Sequence, residues 1–363
     1  MKNSIKVAAF AAAAALMLGA CGSAPEEAPS TDGQGDTNET AAESVDVKAC
    51  MVSDEGGFDD KSFNQSGYEG LVRAEKELGV EISTTESNSD ADFDPNINAL
   101  ISDGCDIIIG VGFKMADQLE AKAKENPDVK FALVDAGFAD QPENARALVF
   151  NTAEASYLAG YVAAGMTETG KIGAFLGMAL PSTMIFNDGF EDGMNKYNEE
   201  NSTDVQLIGW SKEAQDGMAT GDFSDVAKGQ TFSNQLIDQG VDVIMPVAGP
   251  VGAGTLAAAS ENEGVKVVWV DADGYETQPE SGQYILTSVV KEIGAAVFDT
   301  IKLVVDDEWT SEQYVGNLEN GGVSIAPFHD FEDQVPQELK DGVEKIKEQI
   351  ISGEIVVETP NQP

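Results

Sequence analysis

Residues 54–65 read DEGGFDDKSFNQ, in which four acids, two glycines and two phenylalanines follow a short apolar run, Ala49–Val52. Carboxylates and amides at that density suit hydrogen-bonded recognition of a polar molecule, and an aromatic among them offers a flat face for stacking. They suit catalysis poorly. Asp59 and Asp60 are neighbours in the chain, and neighbours are not an opposed acid and base. No nucleophile elbow and no Cys/His metal spacing occurs in the sequence, and the single histidine, His329, has no partner that spacing identifies. The expectation is a binding protein with no catalytic residues, no metal and no cofactor.

The elements around this stretch decide where its side chains go. With Met51 and Val52 in a strand, Asp54 stands at the carboxyl end, and Gly56 and Gly57 allow a sharp turn. Ser62 or Asp60 then caps a helix from Ser62 to Leu78, with Tyr68, Leu71, Val72 and Leu78 along one face. Phe63 falls in its first turn. There it either packs the helix onto its sheet or faces a cleft, and the acids read equally as a solvated capping cluster.

From Val47 onward, apolar runs alternate with amphipathic stretches, the pattern of βα units around a mainly parallel sheet. A first series comprises KACMVS, VEISTTE, CDIIIGVG, VKFALVDA and ARALVFN; a second comprises KIGAFLG, VQLIGW, VDVIMPVAG and VKVVWVDAD. After these come a strand in YILTSVVK, a helix from Glu292 to about Val305, a short strand in GVSIAP and a helix from Gln337 to Ser352. Two doubly wound sheets in series account for the length, with a ligand expected at the carboxyl ends of the strands. The separate closing pieces imply that the chain crosses between lobes more than once, and such crossings act as hinges. The expected division is 45–152 plus 283–312 for one lobe and 153–282 plus 313–353 for the other.

Composition narrows the partners. The sequence carries 64 acidic and 21 basic residues, a formal net charge of −43, so binding to a phosphate backbone is excluded on electrostatic grounds. Lys2 and Lys6 precede an apolar stretch, Val7–Leu18, that is too short to span a bilayer, and small residues lead into Leu18-Gly19-Ala20-Cys21. Residues 1–20 therefore read as an export signal. The ending resembles a bacterial lipobox, which implies a diacylated Cys21 at the membrane's extracytoplasmic face. Residues 21–44, rich in Pro, Gly, Ser, Thr and acids, read as a disordered tether. Cys50 and Cys105 lie in or beside strand-like runs, and the two-residue offset between those strand ends favours two buried thiols over a bridge.

The DDKSFNQ segment resembles the opening motif of the basic membrane protein family, the PnrA-like lipoproteins that bind nucleosides for ABC importers. Further similar segments follow in the family's order: VDAG at Asp135, IFNDGFEDGM, GDFSDVAKG around Phe223, VAGPVGAG around Gly249, VDADGYE at Asp271 and LTSVVK ending at Lys291. The resemblance runs from about Val47 to about Gly353. It implies a type I periplasmic-binding-protein fold, α/β, with two Rossmann-like lobes closing on a ligand. It further implies that Phe63 and Phe223 stack on the two faces of a purine and that Asp54 and Asn64 contact the base or ribose. By the same resemblance, Asp135 is expected to face the base, Asp271 and Lys291 to grip the ribose hydroxyls, and Gly249 to allow close backbone approach. Two departures, Pro250 inside AGPVGAG and ATGDF in place of a Tyr-x-Gly-Ser-Phe pattern, leave the base preference open.

A nucleoside is neutral, with two π faces and a vicinal diol, so aromatic plates and fixed acceptors serve it better than cations. The resemblance implies a monomer that passes its ligand to a membrane permease, and the sequence has no phosphate-binding Gly-x-x-x-x-Gly-Lys-Ser/Thr segment, so the ATPase is a separate subunit. The alternative is a binding protein of the same fold for a sugar, an amino acid or an autoinducer.

Overall fold

The computed structural model describes residues 43–363. The expected export signal, Cys21 and nearly all of the tether lie outside the described residues. In chain order the described part begins β1 (Lys48–Ser53), α1 (Phe63–Leu78), β2 (Glu81–Thr85), α2 (Phe93–Ser102), β3 (Ile107–Val111), α3 (Ala116–Glu125), β4 (Lys130–Val134) and β5 (Ala145–Phe150). It continues with α4 (Thr152–Met166), β6 (Lys171–Leu176), α5 (Pro181–Asn201), β7 (Gln206–Ile208), the small hairpin β8 (Trp210–Ser211) and β9 (Asp216–Gly217), α6 (Val226–Ile237), β10 (Val243–Val247) and α7 (Ala253–Glu261). It closes with β11 (Lys266–Asp271), α8 (Gly274–Thr277), β12 (Ile285–Lys291), α9 (Ile293–Val305), β13 (Tyr314–Gly316), β14 (Val323–Ile325) and α10 (Gln337–Ile351).

Two six-stranded sheets result. The first has the order β13-β5-β4-β3-β1-β2 and is parallel throughout; the second has the order β14-β12-β11-β10-β6-β7, with only β14 antiparallel. Central strands such as β3 and β10 are buried at every residue, because helices cover both faces of each sheet and leave no side for polar alternation. Both sheets carry the doubly wound α/β arrangement, in the expected order along the chain.

The end of the chain is divided differently from the expected boundaries. β12 pairs with β11 inside the second sheet, whereas β13 pairs with β5 at the edge of the first. A three-residue strand has too little pattern to announce its partner, and the chain enters the first lobe just before α9 and leaves it only after β13. The crossings fall at 150–152, 291–293 and 316–323.

Two helices depart from the periodicity reading. Helix α4 has no counterpart there, since twelve of its fifteen residues are buried and it presents no polar face. On α1 the buried residues are Asn64, Gly67, Gly70, Leu71 and Ala74, while Val72 is exposed. Glycines make that contact: a Cβ on Gly70 would stand 2.3 Å from the Gly294 carbonyl oxygen, so any larger residue would push α9 off α1.

Cys50 and Cys105 form a disulfide, Cα–Cα 6.0 Å, against the expectation of two free thiols. In the ladder Cys50 faces Ile108, so strand register alone keeps Cys105 away. Cys105 lies before β3 begins, just after Gly104 with φ +78°, and there the chain is free to turn its side chain back toward β1. The bridge closes a sequence separation of 55 residues. In the chain-entropy model such a loop contributes about 4 kcal/mol. Reduction, or a Cys50→Ala/Cys105→Ala pair, is therefore expected to lower Tm by roughly 5 °C, read by a thermal melt with and without reductant.

Candidate functional site

The loops at the carboxyl ends of both sheets meet at one cavity, as expected for open α/β sheets. Asp54 follows β1, Asp135 follows β4, Gly249 follows β10, and Asp271 and Lys291 are the last residues of β11 and β12. With Phe63, Asn64 and Phe223, these are the eight residues singled out from the sequence, and all eight line this cavity. Phe63 comes from the first lobe and Phe223 from the second.

Lys291 lies at the centre. Its Nζ is 2.6 Å from Asp135 Oδ2 and 3.3 Å from Asp271 Oδ1, so one ammonium joins a carboxylate of the first lobe to one of the second. Burial alone would lower its pKa, but the two carboxylates outweigh it and hold Lys291 above the usual lysine value. Phe63, Phe186 and Phe150 surround the ammonium, with ring centroids 5.0, 5.1 and 5.9 Å away. Asp135 and Asp271 both have left-handed backbone, φ +69° and +70°, one at the end of a strand in each sheet. A non-glycine residue there costs on the order of 1 kcal/mol, a cost that aspartate bears better than most, and it turns both carboxylates toward the same ammonium.

A second cluster sits at the start of α1. Asp60 accepts from the backbone N–H groups of Ser62, Asn64 and Gln65, at 2.9, 2.9 and 3.0 Å, and so serves as the helix cap. Ser62 is thereby freed from capping. Its hydroxyl donates across the cleft to Asp271 Oδ2 at 3.1 Å. Asn64 Nδ2 donates to Asp54 Oδ1 at 3.0 Å and to Asp60 Oδ2 at 3.3 Å. Its buried Oδ1 has no partner among the described residues, which leaves an acceptor for a ligand donor. Burial pushes the Asp54 carboxyl up to about 7, with the neighbouring Asp60 adding to burial and Asn64 opposing it. Gly112, φ +121°, is what admits that carboxylate: a Cβ there would stand 2.1 Å from Asp54 Oδ2.

Of the two caps the sequence allowed, the structure uses Asp60; sequence reading missed Ser62 as a bridge between lobes and Phe186 as a cavity wall. Phe186 lies within IFNDGFEDGM, a segment noticed in the sequence but assigned no role. His329 lies away from the cavity: its Nε2 is 2.7 Å from Asp273 Oδ2, and its ring stacks on Tyr275 with centroids 4.1 Å apart. Among the described residues no cluster of His, Cys, Asp and Glu is placed to hold a metal ion, and no helix is long and apolar enough to cross a membrane.

Two lobes joined by several crossings, with aromatic rings and buried carboxylates lining the cleft between them, define a ligand-binding protein. The chain belongs to the family of PnrA-like ABC transporter substrate-binding proteins, whose model matches residues 47–360. Among its relatives is the ABC transporter nucleoside-binding protein BmpA of Lactococcus lactis subsp. cremoris, 34% identical over 98% of this chain and 99% of that one. An uncharacterized lipoprotein of Pyrococcus abyssi is 32% identical over 90% of this chain and 87% of its own. Among solved structures, a solute-binding protein of an ABC transporter system from Aeropyrum pernix K1 superposes with TM-score 0.78 at 28% identity, covering 86% of this chain and 94% of that one. The fold is thus that of the type I periplasmic binding proteins. The family's members are ABC transporter substrate-binding proteins.

Proposed function

We propose that the protein binds nucleosides, with purine nucleosides favoured, in the cleft between its lobes. It is held by a diacylated Cys21 at the extracytoplasmic face of the membrane and delivers its ligand to a permease driven by a separate ATPase subunit. The observation that carries the reading is the convergence of Phe63 and Phe223, one from each lobe, on a cavity that also holds the Asp271–Lys291 pair. The nucleoside-binding relative adds weight to it.

In this reading the base lies between the two rings, where each stacking contact contributes about 1–3 kcal/mol. Asp54, Asn64 and Asp135 take the base edge. The ribose diol donates to Asp271, in charge-assisted bonds of roughly 1.5–3 kcal/mol, and displaces the Ser62 hydroxyl from that carboxylate. Gly249, φ +52°, brings backbone close to the sugar. The cavity is only about 60 Å3, with Ser62–Asp271 and Asp135–Lys291 drawn together across it, so entry requires the lobes to part at the three crossings.

Phe63→Ala and Asp271→Ala are each expected to weaken nucleoside binding by about 2 kcal/mol, near thirtyfold in Kd. Fluorescence or calorimetric titration of the folded variants reads this directly. Nucleoside affinity unchanged in both would remove these residues from the site.

A further inference from the structure

Past Asp135 the cleft opens into a second cavity of about 360 Å3, far roomier than the first. The two share Phe113, Asp135 and Ser182, so they adjoin. On the first-lobe side the wall is Ala136, Gly137 and Gln313; on the other it includes Asn361 and Gln362 from the segment after α10.

That segment is held in place by a carboxylate with no part in the first cavity. Asp188 of α5 is fully buried and accepts from Trp210 Nε1 (3.1 Å), Gln215 Nε2 (2.9 Å), Thr359 Oγ1 (2.5 Å) and Asn361 Nδ2 (2.8 Å). Lys212 Nζ also donates to the Glu358 carbonyl. Charge-assisted bonds converging on one buried acid make a fixed wall of what would otherwise be a loose end.

The lining defines the chemistry of an occupant. Most of it is apolar, including Phe113, Val149, Phe150, Pro181 and Ile185. Asp135 is its only ionisable side chain, and that carboxylate is already engaged by Lys291 Nζ at 2.6 Å. No lysine, arginine or histidine is present to receive a phosphate. The Gln313 side chain stands at the rim as an amide donor and acceptor. An uncharged group with an apolar body and a hydrogen-bonding edge fits these walls.

We infer that the second cavity is a subsite for an uncharged substituent on the ligand, so that the protein takes nucleosides extended at the base edge facing Asp135 as well as unmodified ones. The inference rests on the nucleoside reading. Gly137 supplies the test, because a Cβ there meets nothing nearer than Gln313 Oε1 at 4.0 Å and its φ lies outside the left-handed region. Gly137→Phe therefore fills the second cavity without backbone strain and leaves the first untouched; Gln313→Phe does the same from an exposed neighbouring position.

The parent and both variants are titrated with adenosine, N6-benzyladenosine, guanosine and N2-benzylguanosine. For the purine that binds tighter unmodified, the parent is expected to bind the benzyl form within about threefold of the plain form. At least one folded variant should keep plain-nucleoside affinity and lose tenfold or more for the benzyl form. Parent protein that binds plain nucleosides but rejects both benzyl forms a hundredfold overturns the subsite and leaves the nucleoside reading standing. So does full benzyl affinity in variants that retain plain-nucleoside binding. Absence of binding to either plain nucleoside overturns the reading beneath it.

Discussion

Lys291→Met is expected to destabilise the protein by about 3–5 kcal/mol and to abolish nucleoside binding, because it strands two buried carboxylates without a counter-charge. Asp135 and Asp271 point at one ammonium from left-handed backbone that holds them there, so neither can swing out to water cheaply. A double variant separates the two effects. Asp135→Asn/Lys291→Met neutralises one of the stranded acids and should recover part of the lost stability, while binding stays lost because the proposed ribose grip is still broken. Urea denaturation gives the first quantity and ligand titration the second. Equal stability in the single and double variants would show that the two lobes are not coupled through this charge pair.

The second large effect concerns Asp54. Its pKa rises from 3.8 to about 7 on folding, chiefly through burial. The native chain therefore holds a proton there that the unfolded chain has released. The associated stability is present in full below about pH 4, is lost progressively as pH rises to about 7, and changes little beyond. Three pKa units correspond to about 4 kcal/mol. Asp54→Asn cannot ionise, so its stability relative to the parent should be near zero at pH 4 and reach a few kcal/mol by pH 8. Asp60 and Asp135 are also raised by burial and titrate in both proteins, so the difference reports Asp54 together with its coupling to the neighbouring Asp60. If Asp54 accepts from the base, parent affinity should fall up to tenfold per unit below pH 7 and flatten above. A pH-independent difference between the two proteins would mean that Asp54 is already ionised at low pH.

Much of this site was legible because each of its acids ends a strand or begins a helix. Local pattern places those positions well: Asp54, Asp271 and Lys291 follow apolar runs that could hardly be anything but buried parallel strands. Phe63 was ambiguous from spacing alone, and only the family resemblance pointed it at a ligand. What sequence could not show was which partner each side chain would choose. Ser62 and Asp60 were interchangeable as caps on paper. The fold gives the task to Asp60, whose carboxylate satisfies three backbone donors, and sends the Ser62 hydroxyl across the cleft.

The disulfide and the lobe boundaries were misjudged for a related reason. Both depend on residues just outside regular strands, Cys105 before β3 and the three residues of β13, where periodicity carries no information about direction. Helix α4 was invisible for the opposite reason, since a helix buried at twelve of its fifteen residues has no polar face to set its period. Phe186 belongs with these cases. It lies on α5 among a run of buried residues, and nothing in its spacing separates a core phenylalanine from one that walls a ligand cavity.

Nucleoside recognition is tested most directly by titration calorimetry on protein freed of bound ligand by unfolding and refolding, against adenosine, guanosine, inosine, cytidine, uridine, free adenine and ribose. Submicromolar binding of at least one nucleoside, with much weaker binding of adenine and of ribose alone, is the expected result, because in the proposed mode the aromatic plates and the Asp271–Lys291 pair each read one half of the ligand. No heat with any of these compounds, from protein shown to be folded, would contradict it and assign the cleft to a different small molecule.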